Sequence, residues 1–174
     1  MGLGHVLVAG GGSGGHVFPA LAVIGELADR GCRVSWLGRV EGMERGLVEG
    51  RRIPYYGLPA AAVVGRGAAG KLAALGRTAI SATRARGLIR RLDVDAVLGT
   101  GGYASAAGVL GARLARRPAV LLEPKASSGA ANRWLSRWAT AAVVASYPGV
   151  RDLRCRVVPV GVPVREEFHR PFVA

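Results

Sequence analysis

The chain has 174 residues, half of them hydrophobic, which suits one folded α/β domain and excludes general disorder. A formal net charge of +13 and a sequence pI near 11.4 favour an anionic partner such as nucleic acid, acidic lipid or a phosphorylated substrate, without choosing among them. There is no apolar run of membrane-spanning length, no basic-then-apolar leader at the start, and only two cysteines, Cys32 and Cys155, without metal-ligand spacing. The expectation is a cytosolic protein with reduced structural thiols.

The first element predicted is a buried strand, His5–Ala9, and it runs straight into five glycines and a serine in six positions, Gly10 to Gly15. Removing side chains there lets the backbone turn sharply and lets a ligand approach its N–H groups. His16 then opens a helix that runs to Arg30 and is stopped by Gly31. Pro19 falls early in that helix, where a missing N–H costs little. The spacing Gly10-x-Gly12-x-x-Gly15 is by itself a weak dinucleotide fingerprint.

A second strand, Arg33–Leu37, ends at Gly38-Arg39 where an NAD enzyme places an acid for the ribose. NAD is disfavoured, and Arg39 leaves NADP as an alternative. A short helix over Glu44–Glu49 and a strand over Ile53–Leu58 follow, with Glu44 read as a carboxylate facing the helix dipole. Pro59–Gly70 reads as an irregular surface segment. The next helix, Lys71–Leu92, carries Lys71, Arg77, Arg84, Arg86, Arg90 and Arg91 and no acid. Leu72, Leu75, Ala79, Ile80, Leu88 and Ile89 lie between those charges. Such a helix either covers a sheet or, together with the apolar loop before it, meets an anionic membrane.

Asp95–Leu98 is the fourth strand, and a second glycine loop, Gly99-Thr100-Gly101-Gly102-Tyr103, leads into a helix from Ala104 to Arg116. Ala119–Leu122 is a fifth strand ending at Glu123. Ala141–Ala145 and Arg156–Val160 are two more. In a sheet ordered 3-2-1-4-5 the first and fourth strands flank the switch point, so both glycine loops face one crevice. Two helix N-termini converging there suit a pyrophosphate.

These motifs resemble, in order, those of the MurG family of peptidoglycan N-acetylglucosaminyltransferases. GGSGGHVFPALA is similar to the family's first loop and helix, with Ser13 in place of its usual threonine. Met43-Glu44, Leu47-Val48 and Ile53-Pro54 match the segment around its third strand, and GTGGYASAAG its second glycine loop. Glu123, Ala126, Gly129, Asn132 and Arg133 match its third loop and helix, where Pro124 and Lys125 replace Gln and Asn. Gly161-Val162-Pro163-Val164-Arg165 is close to the hinge that joins the two family domains.

The resemblance implies a Rossmann-like parallel sheet with helices on both faces, forming one half of a GT-B glycosyltransferase. Residues 1–162 would be the amino-terminal domain that binds the acceptor, lipid I. Residues 163–174 would begin the hinge, with Gly161, Pro163 and Arg165 in it, and the donor-binding domain for UDP-N-acetylglucosamine is absent from this sequence. His16 is the implied catalytic base, taking a proton from the muramoyl C4 hydroxyl as it attacks the donor with inversion. A helix N-terminus favours the neutral imidazole this needs. The acceptor and its phosphates fall to Gly11, Gly12, Ser13, Gly14, Gly15, Gly101, Gly102, Tyr103, Glu123, Lys125 and Asn132.

Membrane contact at the cytoplasmic face of the bacterial inner membrane falls to Lys71, Arg77, Arg84, Arg86, Arg90 and Arg91. No cofactor, metal or nucleic-acid partner is expected, since there is no DxD, no His/Cys cluster and no basic patch interleaved with aromatics. Without a donor-binding domain the chain is expected to be inactive alone. The alternatives are a non-catalytic membrane-recruiting subunit of a split glycosyltransferase and an NADP-binding domain.

Overall fold

The computed structural model describes residues 4–59, 68–125, 127–145 and 152–161, with side chains described from 76 onward in the second of these segments. Seven strands form one wholly parallel sheet in the order β3-β2-β1-β4-β5-β6-β7. They are β1 (His5–Ala9), β2 (Arg33–Arg39), β3 (Tyr55–Leu58), β4 (Ala96–Gly99), β5 (Ala119–Glu123), β6 (Ala141–Val144) and β7 (Arg156–Pro159). The connecting helices are α1 (Gly14–Asp29), α2 (Arg45–Glu49), α3 (Ala68–Arg91), α4 (Gly102–Ala115) and α5 (Ala130–Leu135).

Parallel strands joined by crossover helices are covered on both faces, so a central strand needs apolar residues on both sides of its pleat. All five residues of β1 are buried. Its alternation divides them between two cores. Val6 and Val8 pack under α1 and α2 with Val17, Ala20, Leu21, Ile24, Trp36 and Val48. Leu7 and Ala9 face the other way, against Ala85, Leu88 and Ile89 of α3, Val109 and Ala112 of α4 and Leu135 of α5. The helices α3 and α4 approach closely because Gly111 has no side chain. A Cβ there would lie 2.7 Å from that of Ala85 and 3.0 Å from the Arg86 nitrogen.

Polar groups pin the amino-terminal ends of the strands. His5 is a satisfied core histidine, its Nδ1 3.0 Å from the Leu92 carbonyl and its Nε2 3.0 Å from Ser35 Oγ. The Asp95 carboxylate accepts the N–H groups of Gly4 and His5 at 2.8 and 2.9 Å, and those bonds hold its pKa below the ordinary value. The opposite, carboxyl-terminal ends of the strands are therefore left for the loops that carry the site.

The sequence reading and the structure agree on every strand to within two residues at each end. The helix α3 starts before Lys71, at Ala68, and residues 60–67 of the expected irregular segment lie outside the described residues. The rings of Trp134, in α5, and of Trp138, in the turn after it, pack edge-on with centroids 4.6 Å apart.

Candidate functional site

The strands β1 and β4 are neighbours at the point where the chain order reverses, and the two glycine loops leave their carboxyl ends side by side. Between them lies an open cleft of about 210 Å³ lined by Gly11, Gly12, Ser13, His16, Arg39, Gly102, Tyr103 and Ala104. The loops are in direct backbone contact. Gly102 has φ +73°, and a Cβ on it would come within 2.6 Å of the Gly11 carbonyl oxygen. A left-handed φ and a backbone neighbour both require glycine there.

The amino ends of α1 and α4 point into this cleft. First-turn N–H groups lack the i−4 partner that the rest of a helix supplies, although that of His16 donates to the Ser13 carbonyl at 3.1 Å, and the helix dipoles make both ends electropositive. No acidic residue is among those lining the cleft. Across the loops, the Tyr103 hydroxyl is 2.8 Å from Thr78 Oγ1 and so ties the cleft wall to α3.

His16 is the third residue of α1 and is half-buried, with its ring against Gly101. A Cβ on Gly101 would lie 2.7 Å from Cε1 and 2.8 Å from Nδ1. Its Nδ1 is sealed from solvent and has no hydrogen-bond partner. Burial lowers the imidazole pKa below 6.5, and the positive charge of Lys125 lowers it further, against smaller opposing effects from the Thr100 backbone and the Glu123 charge. The ring is consequently neutral at pH 7, the form that accepts a proton.

Glu44 differs from its sequence reading. It stands at the amino end of α2, but its side chain makes no cap there and turns inward instead, with no exposed surface. One oxygen accepts the Gly12 N–H at 3.2 Å. The other accepts the Arg39 N–H at 3.3 Å and the Tyr55 hydroxyl at 3.1 Å. The pull towards the interior is physical: a buried acceptor among three donors is better satisfied than a carboxylate at a five-residue helix with a weak dipole. Burial and the adjacent Glu44 charge push the Tyr55 phenol well above its ordinary pKa.

Glu44→Ala should strand the backbone N–H groups of Gly12 and Arg39, while the Tyr55 hydroxyl keeps the Arg39 carbonyl as its acceptor at 2.6 Å. The expected cost is about 2–4 kcal/mol, read as a lower thermal midpoint by differential scanning calorimetry.

Of the sequence-predicted acceptor residues, the structure gathers Gly11, Gly12, Ser13, Gly102 and Tyr103 around the cleft with His16. Gly14 and Gly15 open α1 directly after the first loop, and Gly101 precedes α4 in the second. Glu123 and Asn132 do not line the cleft. Glu123 is fully buried and accepts the N–H groups of Lys125 and Gly129 and the Asn132 amide at 3.3, 2.8 and 3.1 Å, so its carboxylate organises the third loop. Lys125 is exposed, and its charge acts on His16.

Arg39 is the cleft residue that the sequence reading left to an NADP alternative. Pro163 and Arg165 lie outside the described residues, whereas Gly161 has φ +83°. Among the described residues, no group of three or more His, Cys, Asp or Glu side chains could hold a metal ion.

A parallel sheet with twin glycine loops at its switch point, helix N-termini converging on one cleft and a neutral histidine beside them defines a Rossmann-like half of a GT-B glycosyltransferase. Residues 6–144 match the glycosyltransferase family 28 N-terminal domain, and the chain belongs to that family. It is 41% identical over 164 residues to the UDP-N-acetylglucosamine--N-acetylmuramyl-(pentapeptide) pyrophosphoryl-undecaprenol N-acetylglucosamine transferase of Psychrobacter cryohalolentis, covering 92% of this chain and 45% of that protein. The Acinetobacter baumannii enzyme of the same name is also 41% identical, over 94% of this chain and 45% of its own length. The crystal structure of Acinetobacter baumannii MurG superposes with a TM-score of 0.77 at 38% identity, covering 90% of this chain and 45% of that one. The chain is thus a MurG-like amino-terminal glycosyltransferase domain, and it spans a little under half the length of these relatives.

Proposed function

We propose that this chain is the acceptor-binding domain of an inverting N-acetylglucosaminyltransferase that converts lipid I to lipid II. The observation that carries this reading is the single cleft lined by both glycine loops and His16. The pyrophosphate of the acceptor lies between the amino ends of α1 and α4, where unpaired N–H groups and two helix dipoles favour an anion. The muramoyl sugar lies beside His16. The neutral imidazole takes the proton of the sugar hydroxyl as its oxygen bonds to the anomeric carbon of N-acetylglucosamine, and the bond to UDP breaks on the opposite face. In this reading UDP-N-acetylglucosamine is held by a second, carboxyl-terminal domain, and the isolated chain is expected to carry out no transfer.

Titration calorimetry with a soluble short-chain lipid I analogue, UDP-N-acetylglucosamine and NADPH tests the reading. Saturable binding of the analogue alone is expected. Saturable binding of NADPH with none of the analogue would move the chain to the nucleotide-binding alternative.

The enzyme works at the cytoplasmic face of the inner membrane, with α3 as the docking element. No helix among the described residues is long and apolar enough to cross a membrane. Arg77, Ala79, Ile80, Thr83, Arg84, Arg90 and Arg91 are exposed, and Ile80, 54% exposed, sits between Arg77 and Arg84 at helical spacing. An apolar side chain flanked by cations suits the boundary of an anionic bilayer. Arg86 is half-buried with its Nε sealed and unpaired, and the side chain of Lys71 lies outside those described.

Replacing Arg77 and Arg84 by glutamate should therefore weaken co-sedimentation with phosphatidylglycerol vesicles by about 30-fold or more, at roughly 1 kcal/mol for each lost cation. Wild-type binding should weaken as salt rises. Equal sedimentation of the double variant would assign this face to solvent.

A further inference from the structure

We propose that Arg39 is the side chain that grips the diphosphate in the cleft, held in register with the first glycine loop by the buried Glu44 and the half-buried Tyr55 bonded to it. The proposal rests on the acceptor-site reading above.

Arg39 ends β2 and lines the cleft with the amino end of α4. Among the described residues, Arg30, Arg45, Arg117 and Arg133 each have an acidic partner, whereas the Arg39 guanidinium has none. Its main chain is nevertheless fixed on both sides. The N–H donates to Glu44 Oε1 at 3.3 Å, and the carbonyl accepts from the Tyr55 hydroxyl at 2.6 Å. Since Glu44 Oε2 also accepts the Gly12 N–H, the base of the Arg39 side chain and the first glycine loop share one anchor.

That anchor creates a need as well as a position. The Gly12 N–H is spent on an internal carboxylate, so this loop offers an incoming phosphate one donor fewer, and the Glu44 charge behind it repels a second anion. A diphosphate seated there needs a cation on the cleft wall. Guanidinium supplies one as a planar fork that bonds two phosphate oxygens at once, which lysine cannot do. The amino ends of α1 and α4 remain for the other phosphate.

Calorimetry on the whole chain, with farnesyl diphosphate, UDP-N-acetylglucosamine and NADPH as probes, tests this. Farnesyl diphosphate should bind, and Arg39→Gln should weaken it about tenfold to a hundredfold. Arg39→Lys should fall between, since it keeps the charge and loses the fork. Arg51→Gln is the control, because Arg51 is exposed and bonds the Leu47 carbonyl away from the cleft. It should bind like the wild type.

If Arg39→Gln binds farnesyl diphosphate as the wild type does while Gly102→Val does not, the Arg39 assignment is overturned and the acceptor reading stands. No binding of farnesyl diphosphate by the wild type overturns both. A loss on Arg39→Gln confined to UDP-N-acetylglucosamine or to NADPH gives Arg39 to a nucleotide and likewise overturns the proposal.

Discussion

In an enzyme completed by its donor-binding domain, His16→Ala should lower turnover by about 10²–10⁴, with a much smaller change in acceptor affinity. The size follows from the proposed role, since a general base acts on a proton that is in flight only in the transition state. The pH profile supplies the sign. Burial and Lys125 lower the imidazole pKa, so the acid limb of the wild-type rate should lie below pH 6.5. Lys125→Gln removes one of those causes and should move the limb upward. The same depression makes a contribution to folding stability that is present above pH 6.5 and lost as pH falls through the folded-state pKa, because the unfolded chain takes up the proton more readily. A His16→Ala enzyme with full turnover and weakened acceptor binding would make this residue a binding group instead.

Gly102→Val should abolish acceptor binding to the isolated chain and lower its stability. Two costs combine. At φ +73° a branched residue is strained by about 1–3 kcal/mol, and its Cβ would press on the Gly11 carbonyl oxygen at 2.6 Å, an atom of backbone that cannot rotate aside. Relief requires the two glycine loops to separate, which dismantles the cleft between them. Gly15→Ala makes the informative comparison. The same Cβ at Gly15 would meet no atom closer than 4.0 Å, so that variant should keep its fold and the cleft's shape. Circular dichroism melts alongside ligand titration separate the effect on stability from the effect on the site. Equal binding by Gly102→Val and wild type would remove the shared cleft as the seat of the phosphates.

The sequence made the sheet legible because its strands are short apolar runs closed by turn residues, a pattern that parallel strands buried on both faces enforce. The paired glycine loops made the switch point legible, and with it the meeting of Gly11, Gly12, Ser13, His16, Gly102 and Tyr103. Side-chain direction was not legible in the same way. Glu44 and Glu123 both stand beside short helices, where local sequence reads as dipole complementarity or ligand contact. Only the tertiary fold brings Gly12, Arg39 and Tyr55 around the first, and only loop closure brings Gly129 and Asn132 onto the second. In α3 the charge pattern shows a basic helix, but not that Ile80 faces outward while Arg86 is drawn towards the packed side. Nothing in the sequence singles out Glu44 as the neighbour that Gly11, Gly38 and Gly42 share, because the fold alone brings these glycines onto it.

That neighbour has an evolutionary consequence. A Cβ added at Gly11, Gly38 or Gly42 would collide with the Glu44 carboxylate, and at Gly38 with the Tyr55 hydroxyl as well. The carboxylate is the far end of a flexible chain, but its hydrogen bonds and its burial hold it in place. Mutations at these four positions should consequently be epistatic. Gly42→Ala ought to be costly while Glu44 is present and much less so beside Glu44→Ala, where the space is already vacated. Tyr55 would still leave Gly38 no room for a side chain and φ +140° would still hold Gly11 to glycine, so loss of the carboxylate by itself should release Gly42 alone among the three.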